Sequence, residues 1–276
     1  MSLTWKDTVS APPSTSDIGD INNYLKADVF TECPIDRFYS GRDKILNSLP
    51  KDFADNNTEI TNLALVGLVS LVEEYIRNLL TGIIKLCPTT RKNGASKPVT
   101  LGTVYIGYNE VEKGIFENTS YSDVAAIKKD LKNLINLDIS SSSQIDAPLN
   151  EFQKICELRH AVVHSSGNIA GKNAVKLELG RSKNKTQVKI DYNGLQTTAL
   201  ICTSLVRALN IELFKIISER WLRDWPRSQA YQFKNLNPVF KEIWELFYST
   251  KDAERGEITY PITYLKVRNL LSKTAF

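Results

Sequence analysis

The chain has only two histidines and four cysteines among its 276 residues. The cysteines, Cys33, Cys87, Cys156 and Cys202, lie far apart with no C-x-x-C pair. That excludes a zinc ribbon or a thioredoxin-like site and leaves reduced, buried thiols as the expectation. Long apolar runs are missing too. The most hydrophobic stretch, Leu63 to Leu86, is broken by Glu73-Glu74, Arg77-Asn78 and Lys85, so it reads as a core helix and not as a membrane span. The first residues, Met1-Ser2-Leu3-Thr4-Trp5-Lys6-Asp7, lack the basic start and apolar run of a secretory signal, and the expectation is a cytoplasmic protein with no membrane partner. No internal repeat is visible.

Hydrophobic residues at 42% and charged residues at 24% are ordinary globular values, which excludes a wholly disordered chain. The length suits one elaborated domain or a domain with appendages. A formal charge of +4 conceals an asymmetry: residues 1–150 carry 15 Lys and Arg against 19 Asp and Glu, and residues 151–276 carry 20 against 12. A basic C-terminal half suits a polyanionic partner, although a solvated basic face has the same composition.

Residues 1–58 read as a polar N-terminal arm, with Pro12-Pro13-Ser14-Thr15-Ser16, followed by a short helix from Asp36 to Leu49 that Pro50 ends. A helical domain over 59–224 opens with a long helix, about Glu59 to Leu86, whose early part is apolar all round. Its later part narrows to a stripe of Val72, Tyr75, Ile76, Leu79, Leu80 and Ile83. Residues 89–120 form an irregular insertion, with strand-like pieces near Val104-Tyr105-Ile106. A helix from Ser122 to Leu137 follows, and the Ser140–Ser143 run is a loop. The next helix spans about 148–164, with Pro148 in its first turn and Gly167 closing it. Val175/Leu177/Leu179 and Val188/Ile190/Tyr192 then alternate about a polar tip, which predicts a β-hairpin over 172–192. A long helix from Leu195 to Asp224 stops at Pro226. The C-terminal helical extension, 225–276, holds a helix from Pro238 to Tyr248 and a segment after Pro261.

Both histidines fall in Glu157-Leu158-Arg159-His160-Ala161-Val162-Val163-His164-Ser165-Ser166-Gly167, at the C-terminal end of a predicted helix. On the helical wheel Arg159 falls in the middle of a face made by Phe152, Ile155, Cys156, Val162 and Val163. A guanidinium there must meet a carboxylate, a subunit interface or an anionic ligand, because burying it unpaired is costly. The bland reading pairs Arg159 with a core carboxylate such as Glu73. Glu73 borders the apolar stripe of the long helix and could equally pair with Arg77 one turn on. A metal reading rests on Cys156, His160 and His164 recurring every four residues, but Ala161 stands where zinc-protease helices carry a Glu. Against the bland reading stands a combination: an arginine on a buried face, a nearby imidazole of the type that changes charge nearest neutral pH, and a helix end that can open onto a groove.

Arg159-His160-Ala161-Val162-Val163-His164 resembles the R-x4-H signature of the HEPN (higher eukaryote and prokaryote nucleotide-binding) superfamily. The long helix ahead of it, with Glu73-Glu74-Tyr75, is similar to that family's first core helix, and the resemblance covers about 59–224. It implies a mainly α fold: a HEPN-like helical core, here with a small β-hairpin after the motif helix. It also implies a metal-independent endoribonuclease without a cofactor, of a kind that serves as a toxin or an antiviral defence effector. Family dimers bring two motifs together over the RNA, so a homodimer with a composite active site follows, with an antitoxin or sensor protein as a further partner. Ser166 stands where the subgroup regulated by nucleotidyltransferases has Tyr, so control through that residue is not expected.

In this scheme His164 takes the proton of a ribose 2′-OH, Arg159 holds the phosphate, and His160 is the complementary acid or a positioning group. Glu73 supports Arg159. Lys172, Lys176, Arg181, Lys183, Lys185 and Lys189 of the hairpin face only Glu178 within 172–189 and would follow an RNA backbone. A non-catalytic helical module that binds RNA, nucleotide or a partner protein is the alternative.

Overall fold

The computed structural model describes residues 10–11, 16–27, 32–105, 111–139, 144–181, 184–231, 235–258 and 263–273. The chain divides into two units, Met1–Thr31 and Glu32–Phe276. In the first, the described residues hold an exposed 3₁₀ turn, Ile21–Tyr24, which Asp20 caps by accepting the Asn22 N–H at 2.9 Å.

The regular elements among the described residues of the second unit are helices: α1 (Pro34–Asn47), α2 (Lys51–Asn56), α3 (Thr58–Leu86), α4 (Pro88–Gly94), α5 (Leu101–Tyr105), α6 (Val111–Gly114), α7 (Val124–Ile135), α8 (Asp146–Ser165), α9 (Gly171–Lys176), α10 (Tyr192–Arg223), α11 (Leu236–Phe247), α12 (Thr250–Glu254) and α13 (Tyr264–Lys273). The mainly α reading therefore holds. Proline sets several boundaries, opening α1 and α4 from the first turn, where its missing N–H costs nothing. Asn136, left-handed at φ 56°, ends α7.

Helices α3, α8 and α10 pack against one another at the centre. The stripe predicted for the later part of α3 is buried from Val72 to Ile83. Its early part is apolar all round but only half covered, since Leu65, Leu68 and Val69 are buried and Leu63 faces solvent. Phe38 and Tyr39 of α1 and Phe240, Ile243 and Phe247 of α11 belong to the same core. No helix among the described residues is long and apolar enough to cross a membrane.

The β-hairpin expected over 172–192 is not found among the described residues of that segment. Its first arm coils into α9, leaving Val175 78% and Leu179 44% exposed. Glu178, left-handed at φ 55°, then closes the turn while the Leu179 N–H reaches back to the Ala174 carbonyl at 2.9 Å. The second arm pairs instead with the turn after α8: the Val188 N–H donates to Gly167 at 2.8 Å and the Ile169 N–H to Thr186 at 2.9 Å. This makes one isolated bridge, Asn168 to Gln187, and no strand among the described residues. The buried Asn62 of α3 completes the arm, donating to the Val188 carbonyl at 3.1 Å and accepting the Ile190 N–H at 3.2 Å. A side chain thus supplies the ladder bonds that a partner strand would have made. The strand-like reading of Val104-Tyr105 is likewise replaced by α5, and Ile106 lies outside the described residues.

Candidate functional site

Helix α8 carries the Arg/His segment and anchors it by burying Leu149, Phe152, Ile155 and Cys156. Its last turn rises out of the core, so His160, Val163 and His164 are exposed and Arg159 is half-buried. Left-handed Ser166 and Gly167 end the helix, and the Gly167 N–H closes it on the Ala161 carbonyl at 3.0 Å.

At this end of α8 lies a cleft of about 340 Å³, lined by Arg159, His160 and His164 of α8, Lys172 and Lys176 of α9, and Ser120, Ser122 and Asp123 before α7, with Cys156 and Glu157 beneath. The Nε of Arg159 is buried with no hydrogen-bond partner among the described residues. A guanidinium nitrogen so placed is a strong donor awaiting an acceptor, and phosphate oxygens match its fork. The imidazoles of His160 and His164 stand with ring centroids 4.6 Å apart at an angle of 49°, a contact that their one-turn spacing on the helix allows.

Glu73 is buried near this site but has other partners. Its Oε1 accepts the Ser122 N–H at 2.9 Å and the Ser120 hydroxyl at 3.1 Å, and lies 3.5 Å from Arg77 Nη2. The one-turn pair with Arg77 is therefore present, and no ion pair joins Glu73 to Arg159 among the described residues. Arg77 donates in turn to the Thr119 carbonyl at 2.9 Å. Glu73 and Arg77 together pin the 119–122 segment that forms one rim.

Of the six basic residues assigned to RNA, Lys172 and Lys176 line the cleft. Lys176 donates to Glu157, a bond that holds its ammonium above the ordinary lysine range, with burial opposing. Lys172 has no ion pair among the described residues. Arg181, Lys185 and Lys189 are exposed and lie outside the lining, and Lys183 falls outside the described residues.

Cys156, His160 and His164 do not assemble as a metal site: the thiol is buried under α8 while both imidazoles face solvent. Burial, with smaller contributions from nearby Cys202 and Glu73, pushes the Cys156 thiol well above its ordinary range. Among the described residues no group of three or more His, Cys, Asp or Glu side chains is placed to hold a metal ion.

Glu157 is the residue that sequence reasoning missed. It is 8% exposed and accepts from both Asn173, at 2.7 Å, and Lys176. Its partners are 16 and 19 residues away, so no local pattern announces them. No protein-family model matches the chain, and no curated protein or solved structure matches it either.

Proposed function

We propose that the cleft at the end of α8 is the active site of a metal-independent endoribonuclease. The observation that carries this reading is the buried Nε of Arg159, without a hydrogen-bond partner among the described residues, in a cleft that two exposed imidazoles also line. A buried donor on a permanent cation calls for an anionic acceptor, and a cleft of about 340 Å³ suits a phosphate with its sugar. His164 accepts the proton of a ribose 2′-OH, and the 2′-oxygen attacks the adjacent phosphorus. As the bond from phosphorus to the 5′-oxygen breaks, that oxygen takes a proton from an imidazolium, His160 or its counterpart in a second copy. The products end in 2′,3′-cyclic phosphate and 5′-hydroxyl. Arg159 offsets the charge that grows on the non-bridging oxygens. The exposure of His160, Val163 and His164 leaves this face of α8 free to meet a second copy in a homodimer.

The test is cleavage of RNA in excess EDTA by the wild-type protein, with His164→Ala and Arg159→Ala as controls. Cleavage lost by both variants, with cyclic-phosphate ends, supports the reading. Binding of RNA without cleavage would turn the cleft into a non-catalytic RNA site, and activity restored only by zinc or magnesium would sink the metal-independent scheme.

A further inference from the structure

Glu157 stands at the junction between the helix that carries Arg159 and the helix that supplies the basic wall. Its Oε2 accepts from Asn173 Nδ2 and its Oε1 from Lys176 Nζ, so one carboxylate grips α9 at two residues three apart, on one side of a single turn. Asn173 is itself buried. Lys172, one residue earlier, lines the cleft with no ion pair among the described residues. The wall therefore presents two lysines of different status: Lys176 is neutralised within the protein and Lys172 is available to a ligand.

Resting on the ribonuclease reading above, we propose that Glu157 is a positioning residue that sets how many phosphates the cleft engages. It fixes α9 so that Lys172 faces the substrate backbone, and it withholds Lys176 from that backbone. The cleft then grips a single strand at two phosphates, through Arg159 and Lys172. A longer stretch would be gripped if Lys176 were released.

Two variants with the same change in charge separate positioning from simple electrostatics. Glu157→Gln keeps an acceptor for Asn173 and frees Lys176; Glu157→Ala removes both attachments. The probe is a fluorescein-labelled 2′-O-methyl oligouridylate, which cannot be cleaved by 2′-OH attack, and its affinity is read by anisotropy across a salt series on the full chain. Glu157→Gln is expected to bind up to about fivefold more tightly at low salt, the size of one exposed ion contact. Its salt dependence should steepen by about 0.7, as one more phosphate contact on a single strand requires. Glu157→Ala is expected to bind more weakly than wild type and to lose hydrogen-exchange protection at 173–179, where Glu157→Gln retains it. Equal tightening in both variants would overturn the positioning role and leave Glu157 a mere repulsive charge. Hydrogen exchange unchanged in both would overturn the anchoring of α9 whatever the ligand. No binding of the probe by wild type or variants, with protection lost in Glu157→Ala, would overturn the RNA reading and the phosphate count while leaving the anchor in place.

Discussion

Glu73 Oε1 accepts the backbone N–H of Ser122 at 2.9 Å, so the carboxylate expected to steady Arg159 steadies the cleft's rim instead. Glu73→Ala should accordingly lower stability by about 1–3 kcal/mol, the range for removing a buried acceptor from its donors. The fall in cleavage rate should be smaller than for Arg159→Ala. Urea unfolding and single-turnover cleavage, measured side by side, check both parts. A Glu73→Ala protein of wild-type stability with the rate of Arg159→Ala would return Glu73 to the arginine.

A composite site predicts poisoning. Wild-type chains mixed with excess His164→Ala chains should lose more activity than dilution explains, because mixed dimers carry an incomplete set of imidazoles. Sedimentation at micromolar concentration should show a dimer. A fully active monomer without poisoning would confine the chemistry to one chain.

The basic residues divide by position. Lys172→Ala should weaken binding of the non-cleavable oligonucleotide and flatten its salt dependence by about 0.7. Lys185→Ala and Lys189→Ala, both outside the cleft, should change that slope by less. If Lys185→Ala has the larger effect, the strand runs over the 184–190 segment and not along α9.

Alkaline conditions should destabilise the fold. Burial raises Cys33 and Cys202 to about 12 and pushes Tyr75 well above its ordinary range. Between the ordinary thiol value near 9 and about 12, the unfolded chain loses protons that the folded chain keeps. Unfolding stability must therefore fall with rising pH across this window, by at most about 1.4 kcal/mol per pH unit for each fully linked group, and is unaffected below it. Urea unfolding at pH 8, 9 and 10 measures the slope, and Cys202→Ala should make it shallower. A flat profile would mean that these thiols ionise equally in both states.

The long elements were legible because each rests on one dominant local signal. The α3, α8 and α10 boundaries follow from apolar periodicity cut by Pro88, Ser166-Gly167 and Pro226. The 172–192 segment misled because its alternation is genuine but only half used: Val188 and Ile190 are buried, while Val175 projects into solvent. What decided its conformation was Glu157 gripping Asn173 and Lys176 from another helix, and Asn62 supplying ladder bonds from a third. The site was legible to the same depth. Arg159, His160 and His164 were readable from their spacing and do share a cleft. The partners of Glu73 and Lys176 depend on tertiary packing that no wheel represents.

Asn62 and Glu73 give α3 the character of a ruler. They lie eleven residues apart on one continuous helix, a separation of roughly 16 Å and a difference in azimuth of only about 20°. Asn62 fastens the 188–190 segment beside the end of α8, and Glu73 fastens the 120–122 segment on the cleft rim. The two attachments share one rod and one phase, so neither can shift without the other. Inserting a single alanine between them would turn one anchor about 100° away from its loop, whereas four would restore the phase to within about 40° but lengthen the span by about 6 Å. Tolerance for such insertions should therefore follow the helical repeat rather than the number of residues added.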